Sequence, residues 1–270
     1  MNTINIDDTS LRDLKNLSDY TYIYYYKNIK KILKILSSDN YEDKRYVLDE
    51  LYKNRDNIPD EIVIPDHYVK IGDDKGYMFD YVEGNTLFYV LYNRYISFEE
   101  KKYYIKKVGY LLDKLDSYKG LHINDLHEGN IIVNLYTKLI KVIDIDSIKI
   151  GNSISFPAQY LRKNSLLNYS NKYHIVNDSY EYVRADRNTD IYCYIMMILN
   201  YITNDLVDIM NKNEYYELLY KLSICGISND LLDCFSRLIE SDDNINPVEY
   251  IDSLEEEQIL KARYLIWYKL

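Results

Sequence analysis

Glycine is scarce in this chain, with eight residues in 270, and none precedes Gly72. A turn that wraps a phosphate closely needs backbone without a Cβ, so no glycine-rich phosphate loop can be built before that point. Proline is rarer still, at four, and no Pro/Gly-rich linker, low-complexity tract or internal repeat divides the sequence. The three cysteines, Cys193, Cys225 and Cys234, are an odd number without C-x-x-C spacing. That excludes a disulfide scaffold and suits a reducing compartment, so a cytoplasmic location is expected. Four scattered histidines make no zinc-like cluster. Basic residues are outnumbered, 33 against 43 acidic, for a net charge of −10, which argues against a nucleic-acid partner. Long hydrophobic runs are missing too. Ile191 to Ile202 is the longest, well short of the roughly 20 residues that span a bilayer. With no basic start followed by an apolar run, neither a signal peptide nor a membrane partner is expected.

What the chain does contain is enough apolar material for a substantial core, 47% hydrophobic against 28% charged, so disorder is not indicated. Its length suits one domain or two closely joined lobes. The 33 tyrosines accompany many Ile, Asn, Lys and Asp. All have A/T-rich codons, so the excess reads as genome bias.

The most informative stretch is Leu121 to Ile150, LHINDLHEGNIIVNLYTKLIKVIDIDSIKI. Ile131 to Val133 and Leu139 to Ile145 are short apolar runs around a polar turn, the pattern of a β-hairpin. Asn130 would then sit just before the first strand and Asp144 at the end of the second, with Asp125 five residues upstream of Asn130. Three oxygen-bearing side chains would converge at one end of a small sheet. Phosphoryl transfer needs such a set: a carboxylate to orient a hydroxyl, and hard oxygen ligands for magnesium.

This stretch resembles the catalytic core of the protein-kinase superfamily, whose signature is a loop Asp, an Asn five residues on and a later metal-binding Asp. The form D-L-H-x-G-N, with His127 where protein kinases usually carry Lys, is similar to aminoglycoside and choline phosphotransferases. The resemblance implies an α+β, bilobal protein-kinase-like fold. Its N-lobe, residues 1–82, would be an antiparallel sheet plus one helix that binds nucleotide. Its C-lobe, residues 83–270, would be mostly helical and carry the catalytic loop and substrate platform. It implies ATP and Mg²⁺ as ligands, with Asp125 as catalytic base and Asn130 and Asp144 as metal ligands. His127 is a further candidate on the nucleotide side, with Asn124 and Asp146 in support.

Other segments extend the resemblance. Tyr20 to Lys27 and Ile29 to Leu36 predict a hairpin around Lys27-Asn28, and I-L-K-I-L resembles the third-strand V-A-I-K, with Lys34 on the nucleotide phosphates. Ser18 to Thr21 would stand in for the glycine loop. A helix is predicted over 40–54, with Val47, Leu48 and Leu51 on one face. The middle of that face falls near Lys44, and neither Asp43 nor Glu50 fits as the family's ion-pair acid. M-F-D-Y-V-E-G-N-T-L, Met78 to Leu87, resembles the hinge between lobes. There Phe79 would back the adenine pocket, the backbones of Asp80 and Val82 would bond the adenine edge, and Gly84 would let the chain turn away. Ser97-x-x-Glu100 predicts a capped helix start, with Tyr104, Val108, Leu111, Leu112 and Leu115 as its buried stripe. Asn124 replaces the Arg of H-R-D, so a switch through an activation-loop phosphate is not expected. Phe156 to Gln159 is a weak counterpart of A-P-E. Asp190 starts an apolar helix and would either tie down the catalytic loop or serve as an N-terminal acid.

Three functions follow from these residues. The first is a Ser/Thr protein kinase-like enzyme acting on a protein hydroxyl. The second is a kinase for a small hydroxyl-bearing molecule, favoured by D-L-H-x-G-N. The third is a pseudokinase binding module, favoured by the missing glycine loop and the unassigned acid.

Overall fold

In a computed structural model, the described residues are 1–6, 15–18, 21–36, 41–118, 120–151, 186–204, 212–240 and 245–267. The chain is α+β. Strands β1 (Asn2–Ile6), β2 (Lys15–Ser18), β3 (Thr21–Tyr26) and β4 (Ile29–Leu36) lead to helix α1 (Tyr41–Lys53), followed by β5 (His67–Ile71) and β6 (Asp74–Asp80). These six strands form one sheet in the order β1-β5-β6-β4-β3-β2. The antiparallel sheet expected from the sequence is in fact mixed, because β1 runs parallel to β5 with Asn2 opposite His67 and Ile6 opposite Ile71. No strand was anticipated at β1. Its register places Ile6 in an apolar layer with Leu33, Ile35, Val69, Ile71 and Met78, which gives the short segment a reason to dock.

The β3–β4 hairpin turns on Lys27 and Asn28, both at positive φ (49° and 65°), the backbone of a two-residue turn whose twist matches its strands. Strand β4 alternates with period two. Leu33 and Ile35 enter the apolar layer shared with β1, while Ile32 and Leu36 join the main core with Val47, Leu48 and Leu51 of α1. Lys34 therefore lies on the same face as Ile32 and Leu36. The predicted helix over 40–54 is α1, and its three predicted core residues are buried.

Past β6 come β7 (Asn85–Thr86), α2 (Leu87–Tyr92), α3 (Phe98–Asp116), β8 (Ile131–Asn134) and β9 (Leu139–Val142), then a 3-10 turn at Ile145–Ser147. β7, β8 and β9 make a three-stranded antiparallel sheet, the predicted hairpin with one short strand added. Ser97 caps α3 by accepting from the Glu100 N–H at 3.2 Å, while the Glu100 carboxylate pairs with Lys138. All five residues of the predicted α3 stripe are buried. Helices α4 (Arg187–Thr203), α5 (Lys212–Ile224), α6 (Asn229–Glu240) and α7 (Glu256–Trp267) complete the chain, with a 3-10 segment at Pro247–Ser253. The centre of this group is α4, buried from Thr189 to Thr203 and fixed at its start by a reciprocal Asp186–Thr189 capping box. No helix among the described residues is long and apolar enough to cross a membrane. Phe156 to Gln159 lies outside the described residues.

Candidate active site

A cavity of about 310 Å³ opens between the six-stranded and three-stranded sheets, within the usual size of small-molecule sites. Thr21 of β3, Ile32 and Lys34 of β4, and Phe79 of β6 line one side. Tyr81, Val82 and Gly84 line the segment after β6, and Gly129, Asn130, Ile132, Ile143 and Asp144 close the other side. Gly84 holds φ at 150°, and a Cβ there would stand 2.3 Å from the Val133 carbonyl oxygen. Only glycine lets the connecting segment lie this close to β8. At Gly129 a Cβ would meet the His127 ring at 2.8 Å, so a larger residue there would make that ring move.

The loop from His122 to Asn130 is anchored from beneath. Asp190, buried at the start of α4, accepts backbone N–H groups from Ile123 at 3.1 Å and Asn124 at 2.8 Å. Of the two roles considered for Asp190, this is the loop tie. Asn124 is thereby held in the left-handed region at φ 62°. The turn that follows presents Asp125, and Asn130 donates from Nδ2 to the Asp125 carbonyl at 3.0 Å and to its Oδ2 at 3.4 Å. Those bonds use the amide's donor end and leave Oδ1 of Asn130 as an acceptor. Across the cavity Asp144 also has left-handed backbone (φ 58°, ψ 55°), an uncommon conformation that Asp tolerates better than most residues. Its Oδ1 receives the Lys34 ammonium.

Of the residues singled out from the sequence, Lys34, Phe79, Val82, Asn130 and Asp144 line the cavity, and Asp125 adjoins it through Asn130. Two side chains are engaged elsewhere. The Asp80 carboxylate is held by Lys31 at 2.7 Å, and Lys31 also bonds Asp66. His127 turns its ring inward, where Nδ1 accepts the Gly129 N–H at 3.1 Å, so it shapes the loop. The aliphatic walls Ile32, Ile132 and Ile143 were not singled out. Alternation from Lys34 and Asn130 was the signal for Ile32 and Ile132, and Ile143 adjoins Asp144 just past the end of β9.

A buried carboxyl within the loop was missed as well. Glu128 is only 6% exposed and its Oε2 has no hydrogen-bond partner, while its backbone carbonyl accepts from Phe88 at the start of α2. Burial raises its pKa above the ordinary 4.5, more than its backbone bond and His127 lower it. The folded protein therefore holds this proton more tightly than the unfolded chain. The stability that follows is present below the unfolded value and is lost as pH rises through the raised one. In urea titrations from about pH 4 to pH 7, Glu128→Gln should lose less stability than the wild type. Parallel pH profiles would show that this carboxyl does not titrate differently on folding.

The oxygen donors at the cavity suit a hard cation. Magnesium is commonly held by one or two carboxylates, with water and substrate phosphates supplying the rest. Asp144 and the Oδ1 of Asn130 fit that demand. Among the described residues, no group of three or more His, Cys, Asp or Glu gathers in the manner of a self-contained metal site. Neither a protein-family model nor a curated protein matches this sequence.

Proposed function

We propose that this chain is an ATP-dependent phosphotransferase with a protein-kinase-like, bilobal architecture, residues 1–82 binding nucleotide and residues 83–270 carrying the catalytic loop. The observation that carries this reading is one of convergence. Lys34 of β4 meets Asn130 and Asp144, at the two ends of the β8–β9 hairpin, in one cavity, and Asp125 is hydrogen-bonded to Asn130. The adenine ring would lie between the aliphatic side chains of Ile32 and Ile132, with Phe79 behind it and the Asp80–Val82 backbone along its edge. Lys34 would hold phosphate oxygens, and Asp144 with Asn130 would hold Mg²⁺. Magnesium bound there supplies charge neutralisation between the phosphate oxygens. Asp125 orients the attacking hydroxyl and accepts its proton.

The preferred acceptor is a Ser or Thr hydroxyl on a protein. What favours this choice is the resemblance of the helix after Asn188 to the central helix of the protein-kinase C-lobe. The test is transfer of labelled γ-phosphate from Mg·ATP to protein mixtures and, in parallel, to aminoalcohols and aminoglycosides. Asp144→Ala serves as the control and should abolish magnesium-dependent transfer while the protein stays folded, since a carboxylate at the cavity rim contributes little packing. Labelled small molecules with unlabelled protein would favour the small-molecule kinase. Nucleotide binding without transfer to any acceptor would favour the binding module.

A further inference from the structure

If the phosphotransferase reading holds, the Lys34–Asp144 pair governs how metal and nucleotide enter the cavity. Lys34 is four-fifths buried and bonded to Asp144, whose side chain is 35% exposed. Val47, Leu48 and Leu51 of helix α1 share the core with Ile32 and Leu36 of β4, yet among the described residues no α1 carboxylate pairs with this lysine. Glu50 holds Lys53 at 2.6 Å, Asp49 lies between Arg45 and the Met1 amino group, Glu42 is 4.0 Å from Arg45, and Asp43 is exposed. One turn before Leu48 the inward position belongs to Lys44, half-buried and itself cationic, which cannot serve as counter-ion.

We propose that Asp144 is the counter-ion of Lys34 until Mg·ATP arrives, so that metal and nucleotide bind by a coupled exchange. A divalent cation alone meets a carboxylate already neutralised by an ammonium. A triphosphate alone meets an ammonium already neutralised by a carboxylate. When both arrive, Lys34 passes to the phosphates and Asp144 to the cation, and each ligand opens the pair for the other. Such coupling is reciprocal: the factor by which nucleotide tightens metal binding equals the factor by which metal tightens nucleotide binding.

The experiment uses Mn²⁺ as a paramagnetic probe, titrated with and without a non-hydrolysable ATP analogue. The proteins are wild type, Lys34→Gln, Lys34→Arg and, as a control for general charge, Lys31→Gln. Without the analogue, Lys34→Gln should bind Mn²⁺ about tenfold more tightly than wild type, a factor worth about 1.4 kcal/mol. Lys34→Arg, which keeps the pair, and Lys31→Gln, whose partners are Asp66 and Asp80, should match wild type. The analogue should tighten Mn²⁺ binding more in the wild type than in Lys34→Gln. A mirror variant covers the case in which Lys34→Gln does not fold: Asp144→Asn removes this carboxylate's hold on the ammonium and should tighten metal-free analogue binding in EDTA by a similar factor. Equal Mn²⁺ affinity in wild type and Lys34→Gln, with the analogue still tightening both, overturns the exchange and leaves the phosphotransferase reading standing. No Mn²⁺ binding in any of these proteins, even with the analogue, overturns both.

Discussion

Asp125→Asn should lower the rate of phosphoryl transfer by roughly 10² to 10⁴, the usual contribution of a positioned base, while Mg·ATP affinity hardly changes. The substitution keeps the shape of the side chain and its place beside Asn130, and it removes only the charge that draws the hydroxyl proton. The residues lining the cavity, Lys34 and Asp144 among them, are untouched. The loss should therefore fall on turnover rather than on binding. Single-turnover transfer and calorimetric titration of Mg·ATP, run on both proteins, separate the two. A variant that transfers phosphate as fast as an active wild type would remove Asp125 from the role of base. A wild type without transfer would leave the substitution nothing to reduce, which is the outcome the binding-module reading requires.

Asp190→Ala should cost both stability and turnover. The carboxylate accepts two loop N–H groups inside the protein and lies 3.7 Å from the His122 ring nitrogen. Each buried donor left without a partner costs about 1 to 3 kcal/mol, so the loss of both should cost roughly 2 to 6 kcal/mol. The same two bonds hold Asn124 in left-handed backbone directly before Asp125. Without them the base has no fixed direction, and a displacement on the order of 1 Å can cost about 10² in rate. Urea unfolding reads the first effect, and transfer under saturating Mg·ATP reads the second. Asp190→Asn keeps one acceptor oxygen and should fall between the two proteins in both measurements. A fully stable, fully active Asp190→Ala would mean that the loop holds its own shape.

Local patterns in the sequence led directly to much of this architecture. The β3–β4 hairpin, α1, the α3 stripe and the β8–β9 hairpin each declare themselves by a period of two or 3.6 within one short window. Lys34 was legible for the same reason: it is a charge inside an apolar strand, on a face that the alternation identifies. Features that depend on distant segments were harder to read. β1 is a strand only because β5 offers it an edge, and nothing within Asn2–Ile6 announces a partner more than sixty residues away. The family pattern would place the partner of Lys34 on α1, but the acids of that helix pair with Arg45, Lys53 and the Met1 amino group or stay exposed, and the lysine turns to Asp144. Asp190 was visible as an acid at a helix start, which left two roles open. Only the three-dimensional placement of α4 under the loop distinguishes them.

The parallel pairing of β1 has a consequence for the chain as it leaves the ribosome. Ile4 and Ile6 are made more than sixty residues before the strand that receives them, which ends at Ile71. At synthesis rates of about 5 to 20 residues per second, β1 waits roughly 3 to 13 s for its partner. During that time β3 and β4 can already pair through their two-residue turn, so the sheet grows outward from its middle. β1 stays unpaired, with Ile4 and Ile6 uncovered, until β5 emerges, and β5 must in turn be present before β6 can join it to β4. An unpaired strand of this kind is open to pairing with another chain, and β1 stays open in this way until β5 has been made.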